Sequence, residues 1–375
     1  MRGPRGGRVV LGGLLALVLM ALFFRGVEWH SLGAALGSAH PGYLAGVLVT
    51  TLVTYAARSW RWGDLLAPLV KVRFGRLLSA TIVGFMTGLF IPRAGEVVRP
   101  YLIARRHGIR TSAAFASIIL ERLLDLITVL GLFGLYLYVL PLPEAQTRGT
   151  LLGVLKAAGA FAGLAALGVL ALLVAFHLRA ERAMGIIDRA LAWLPSRLAR
   201  PLSQGLRSFG AGLVVLQAPP AHLLKIFGQS LVVWFSIALG VWFNNRAFGI
   251  ELPFHSSFLI IGFLTVGVAV PTPGMVGGFH ESYLLALTQS YGVDKLTAAA
   301  AGIALHALSN LPVLVLGLLW LGSEGLTLGK VSEMTADEPG SARSGSDEAA
   351  VPGLAPGEAE VDDDKGGRGM PRFDR

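Results

Sequence analysis

The chain has no cysteine in its 375 residues. That absence removes a disulfide framework, a thiolate nucleophile and any cysteine-based metal site together. Charge is scarce as well: 15% of residues are charged against 54% hydrophobic, and mean hydropathy is +0.64. Water-soluble domains carry about 25% charged residues, so this composition excludes an ordinary soluble fold. The signatures of familiar enzyme chemistry are missing too, with no HExxH, no P-loop, no GxSxG and no metal-ligand spacing. We expect no cofactor and no enzymatic activity. Lacking an ATP-binding motif, any transport would draw on an ion or lipid gradient or be passive.

Long apolar runs take the place of these features, several near or above the roughly 20 residues that span a bilayer. The expected fold is all-α, a polytopic integral membrane protein. About six full transmembrane helices and two re-entrant hairpins would form one domain over residues 1–321. Residues 322–375, rich in Gly, Pro, Ser, Asp and Glu, cannot bury a core and are expected to form a disordered cytoplasmic tail. The net charge of +9 conceals an asymmetry: from Glu324 onward there are 12 acidic and 6 basic residues, leaving 11 acidic and 26 basic, or +15, in the body. Basic residues that border apolar spans are a topology signal and attract anionic lipid. Since they form no single soluble face, nucleic acid is not an expected partner.

Arg2, Arg5 and Arg8 precede the apolar run 9–24, read as a retained first span with a cytoplasmic N-terminus. A cleaved signal peptide is the alternative, though no small-x-small site closes the run. Residues 41–57 return inward. The segment 58–76 mixes Arg and Lys with Trp60, Trp62 and Phe74, which suggests a cytoplasmic interfacial helix with aromatics at headgroup level; direct lipid binding is the other reading. Residues 77–91 are short for a span, and Arg93, Arg99, Arg105, Arg106 and Arg110 follow. A full crossing would place those arginines outside, against the charge rule, whereas a re-entrant hairpin removes the conflict. Residues 111–140 span outward, 151–178 return, 179–222 form a cytoplasmic connection and 223–243 cross again. A second hairpin, 254–291, breaks at PTPGMVGG, and 296–321 is the last span.

The two halves echo one another. IVGFMT at 82–87 recurs as IIGFLT at 260–265, each followed by Pro (Pro92, Pro271), Gly and Glu (Glu96, Glu281). Downstream, ERLLDLITVL from Glu121 lies over HALSNLPVLV from His306, which sets Glu121 opposite His306 and Asp125 opposite Asn310. Units 41–140 and 223–321 would then have hairpins entering from opposite sides, an inverted repeat of the kind secondary transporters use.

Ionisable groups at membrane depth cost roughly 2.5–3.5 kcal/mol each on insertion scales, so they mark sites. At the first hairpin, Pro92 and Gly95 allow a break, and the helix that resumes offers unpaired N–H groups to an anion. Arg93 and Arg99 add positive charge suited to phosphate, and Glu96, three residues from each, can hold them. Capping of a cytoplasmic helix by snorkelling side chains is the plainer account. Glu121 and Asp125 share a helix face, with Arg122 beside them. They serve an ion-pair network to Arg93 or Arg99, a proton relay, or both. In the second hairpin Pro271, Gly274 and Gly277 keep backbone non-helical, which is tolerated only against protein or a watery cavity. Glu281 could pair with an arginine of the first unit. His280, His306 and Asn310 are polar at depth and either bind a ligand or satisfy helix–helix contacts. No metal site is expected.

PRAGEVVRPYL (92–102), ERLLD (121–125) and PTPGMVGGFHE (271–281) together resemble the membrane domain of bacterial lysylphosphatidylglycerol synthases and its free-standing, flippase-like relatives. The resemblance covers about 9–321. It implies an inner-membrane protein that moves or handles lipids between leaflets, and, because a tail expected to be disordered follows residue 321 where the synthases have a soluble domain, no aminoacylation of lipid is expected. The expected ligand is an anionic or modified phospholipid, with a homo-oligomer or an envelope-synthesis partner left open. Two rivals stand beside it. One is a membrane-embedded lipid-modifying enzyme using Glu121, Asp125 and His306; the other is a non-catalytic subunit of a lipid-synthesis complex.

Overall fold

The computed structural model describes residues 29–139 and 218–321, with scattered helical positions within 17–21 and 153–168. The expected spans at 9–24 and 151–178, the connection up to 217 and the tail from 322 lie outside the continuously described residues. Within them the chain is helical without a strand: α1 (Trp29–Gly37), α2 (Pro41–Leu66), α3 (Phe74–Phe90), α4 (Ala94–His107), α5 (Thr111–Tyr138), α6 (Pro220–Ala247), α7 (Ser256–Ala269), a 3-10 turn (Pro273–Met275), α8 (Gly278–Tyr291) and α9 (Lys295–Leu321). Helices α6 and α9 are each long and apolar enough to cross a membrane, while α3 and α7 are shorter apolar helices. Helix α1 meets α2 at 80°. Outward faces carry bare hydrocarbon, such as Leu311, Val315 and Leu319 on α9 and Leu224 on α6. Helices apolar on the outside as well as the inside suit a lipid surround.

Both hairpins form. Pro92 biases Ile91 away from helical backbone, so α3 stops at Phe90 and Ile91 is extended. Arg93 then turns the chain with φ of 64°, and α4 packs back along α3. The second hairpin turns through the 3-10 element, with positive φ at Gly274 and Gly277, and α8 packs along α7. Each pair closes on two glycines. A Cβ on Gly95 would overlap the carbonyl of Gly84, and one on Gly278 would overlap that of Gly267. In both hairpins the partners are eleven residues apart (84 to 95, 267 to 278). This corrects the register of the echo: Gly262, opposite Gly84 in the aligned hexapeptides, packs on Phe133 instead, and Gly267 is the crossing residue.

The long helices α2 and α6 form the central pair and run antiparallel. Gly46 meets Phe243, Thr50 meets Gly240, Arg61 donates to Ser230 and Lys225 pairs with Asp64, so numbers rise on one helix as they fall on the other. Around this pair the packing is reciprocal: α9 lies on α3 of the first hairpin and α5 on α7 of the second, while α4 touches α5 and α8 touches α9. Helix α2 also corrects the expected interfacial segment. It continues to Leu66, and Arg58, Arg61 and Trp62 lie inside the bundle, while Trp60 and Phe74 stay exposed. The buried positions Val47, Thr50, Thr54, Arg58, Arg61 and Leu65 hold one helical stripe across the point where hydropathy falls.

Candidate functional site

Six charged residues of the first unit, Arg58, Arg61, Arg99, Glu121, Arg122 and Asp125, converge beside the α2–α6 pair. Glu121 on α5 is fully buried, and Arg99 on α4 donates to both its oxygens at 3.0 Å. Arg122 adds a further bond, and Arg61 on α2, also fully buried, stands 3.7 Å away. One turn along α5, Asp125 takes Arg61 at 2.8 Å, Arg58 at 3.2 Å, Arg122 at 3.4 Å and the Trp234 Nε1–H at 3.0 Å. Aromatic faces complete the enclosure, with the Arg99 guanidinium 4.5 Å from the Trp62 ring centre and Arg58 5.5 Å from that of Phe85. Two carboxylates thus knit α2, α4, α5 and α6 together.

Polar groups of the second hairpin gather at its tip. The His306 Nε2–H donates to the Gly274 carbonyl at 2.8 Å, and Asn310 donates to the His306 carbonyl at 2.8 Å. The His280 and His306 rings lie 4.6 Å apart, and the Gly277 N–H points at His280 Nδ1. Gly274 rests against the Leu89 carbonyl near the end of α3, so the two hairpin tips touch. Pro271 is exposed.

Several expected contacts are replaced. Arg99 is gripped by Glu121, not Glu96, and among the described residues Arg93 and Glu96 make no ion pair. Arg93 is exposed, while Glu96 acts electrostatically on Arg122. Gly95 sits at the crossing of α3 and α4. Among the described residues Glu281 pairs with no arginine; Lys295 is the cation that acts on it, and its Oε2 is buried without a hydrogen bond there. Glu121, Arg122 and Asp125 come together with Arg99 as one of the two network readings requires. His306 belongs to the other cluster. Among the described residues no group of three or more His, Asp or Glu could hold a metal ion. Sequence reasoning missed Arg58, Arg61, Ser230 and Trp234 as site residues; the continuing stripe of α2 was a signal for Arg58 and Arg61 alone.

A cavity of about 190 Å³ lies between α2 and α6. Thr50, Thr54 and Gly240 form its walls, and both hairpins contribute, the first through Phe85 and the second through Phe279. Arg58 stands on the lining, the one member of the charged core to do so.

Comparison with known proteins agrees with a membrane assignment. Residues 9–317 match the family model described as the lysylphosphatidylglycerol synthase TM region. Glycosyltransferase AglD of Haloferax volcanii is 25% identical over 357 residues, covering 88% of this chain and 56% of that protein. The chain therefore spans about half the length of AglD. A UPF0104 membrane protein of Methanothermobacter thermautotrophicus is 23% identical over 326 residues, 81% of this chain and 91% of that one.

Proposed function

We propose that this chain, which belongs to the lysylphosphatidylglycerol synthase TM region family, moves a lipid between the leaflets of the cytoplasmic membrane. The observation that carries the reading is the cavity between α2 and α6, lined from both hairpins and ending at the charged core. Units 41–140 and 223–321 act as an inverted repeat, with the antiparallel central pair as its axis region. Alternate opening of the cavity towards either side then exposes one site to both leaflets. Arg93, exposed at the first hairpin tip and free of ion pairs among the described residues, supplies the first contact for an anionic headgroup. By the charge rule the N-terminus and the tail are cytoplasmic.

Acid–base chemistry is the weaker reading. Every oxygen of Glu121 and Asp125 is held by arginine or tryptophan, which leaves neither carboxylate free to take a proton. His306, the third member of that scheme, serves the second hairpin. The likeness to a protein named as a glycosyltransferase widens the lipids worth testing to glycosylated ones.

The test is transbilayer exchange in vesicles holding the purified chain, with headgroup-labelled phosphatidylglycerol, phosphatidylethanolamine and a glycolipid in turn. Exchange faster than in protein-free vesicles is expected for at least one. Monodisperse protein that accelerates none of them contradicts transport, and a new lipid product in the same vesicles would establish the enzyme instead.

A further inference from the structure

Polar chemistry on the cavity wall reduces to a few groups, of which Arg58 alone carries charge. The hydroxyls of Thr50, Thr51, Thr54 and Ser236 each donate to a carbonyl of their own helix, so these residues offer the cavity little beyond methyl groups and spent donors. What stays available is the Arg58 guanidinium, the Tyr55 hydroxyl three residues before it on α2, and the Ser309 hydroxyl of α9, neither hydroxyl having a hydrogen bond among the described residues. The remainder is hydrocarbon, including Val47, Leu264 and Leu305. At about 190 Å³ the space falls below the roughly 300 Å³ at which whole small ligands are housed, and suits part of an amphiphile.

Charge points the same way. Arg58, Arg61, Arg99 and Arg122 face Glu121 and Asp125, two more cations than anions, and Glu96 beside Arg122 offsets one. A buried excess of positive charge calls for an anion from outside the cluster. Of the four arginines, Arg58 can turn to one without stranding its partner, because Asp125 keeps Arg61 at 2.8 Å, Trp234 at 3.0 Å and Arg122 at 3.4 Å. Arg99 has no such freedom, since it holds both Glu121 oxygens.

We propose that Arg58 is an exchangeable anchor: with Tyr55 it binds the phosphate of a net-anionic lipid whose hydrocarbon chain fills the α2–α6 cavity, and it rests on Asp125 when that lipid is absent. The site deepens the transport reading by naming its ligand class, and rests on that reading for the role of the bound lipid. Free phosphate shares the headgroup chemistry but lacks the chain.

Native mass spectrometry of the full chain in detergent, titrated with lysophosphatidylglycerol, lysophosphatidylcholine and glycerol phosphate, separates these sources. Lysophosphatidylglycerol should bind best and glycerol phosphate should not compete. Arg58→Ala should weaken lysophosphatidylglycerol about tenfold or more, Arg58→Lys should retain most of the affinity, and Arg76→Ala, an exposed cation away from the cavity, should change nothing. Ser236→Trp, which fills the cavity without touching the charged core, should also weaken binding, and tests the site should Arg58→Ala fail to fold. Unchanged affinity in folded Arg58→Ala, equal binding of the two lysolipids, or competition by glycerol phosphate would each overturn the proposal. Binding that behaves as expected alongside absent leaflet exchange would overturn the transport reading alone.

Discussion

The two ends of the α2–α6 pair do the same structural work with opposite chemistry. In the first unit, α2, α4 and α5 meet through arginines and carboxylates, with Arg61 and Glu121 wholly buried. In the second, α6, α8 and α9 meet through neutral groups. The Asn244 amide donates to the Tyr283 hydroxyl at 3.0 Å and to the Ala301 carbonyl at 2.9 Å, and that hydroxyl donates to Asn245. A neutral network joins three helices without burying a charge, though Asn244 Oδ1 and Asn245 Nδ2 have no partner among the described residues. A charged one joins them no better, since buried ion pairs roughly offset their own desolvation and are costly mainly to break. Charge is therefore concentrated where the fold does not need it, beside the cavity, and the proposed transport site rests on this asymmetry between the two units.

Breaking the charged core should have the largest effect. Glu121→Ala strands Arg99 and Arg61, and a loss of about 3–5 kcal/mol is expected, visible as a collapse of thermal stability in detergent. Next come the shared hairpin crossings. Gly95→Ala and Gly278→Ala should each cost about 1–3 kcal/mol through overpacking, and similar losses in both would confirm that the hairpins close alike. Unequal losses would show that the match ends at the backbone. Tyr283→Phe removes one hydroxyl from the neutral network and should cost about 1–2 kcal/mol, clearly less than Glu121→Ala. Arg93→Ala, exposed and without an ion pair among the described residues, should leave stability within about 0.5 kcal/mol. If it slows leaflet exchange in vesicles nonetheless, its role lies at the hairpin tip.

How much of this was legible in the sequence depends on whether the signal was local. Proline and glycine punctuation at Pro92 and at 271–278 marked both hairpin turns, because those residues act on their own backbone. The bounds of α3, expected at 77–91 and observed at Phe74–Phe90, differ little. Partners across the fold were harder. Glu96 looked suited to Arg99 from its spacing, but packing α4 on α5 brings Glu121 to it with two oxygens. Arg58 and Arg61 were hidden by averaging: hydropathy drops after Ala57, although the helical stripe continues beneath. Asn244, Asn245 and Tyr283 gave no warning, since single polar residues in apolar runs reveal nothing until three helices meet.

The absence of native cysteine makes one measurement especially direct. A Cβ built on Gly240 stands 3.8 Å from that of Thr50, the spacing a disulfide prefers, across the wall of the cavity. Thr50→Cys with Gly240→Cys should therefore link α2 to α6 on oxidation. Leaflet exchange in vesicles should stop in the oxidised protein and return on reduction, while either single variant keeps exchanging. Exchange at the same rate in the oxidised, fully crosslinked protein would show that lipid does not pass through this cavity.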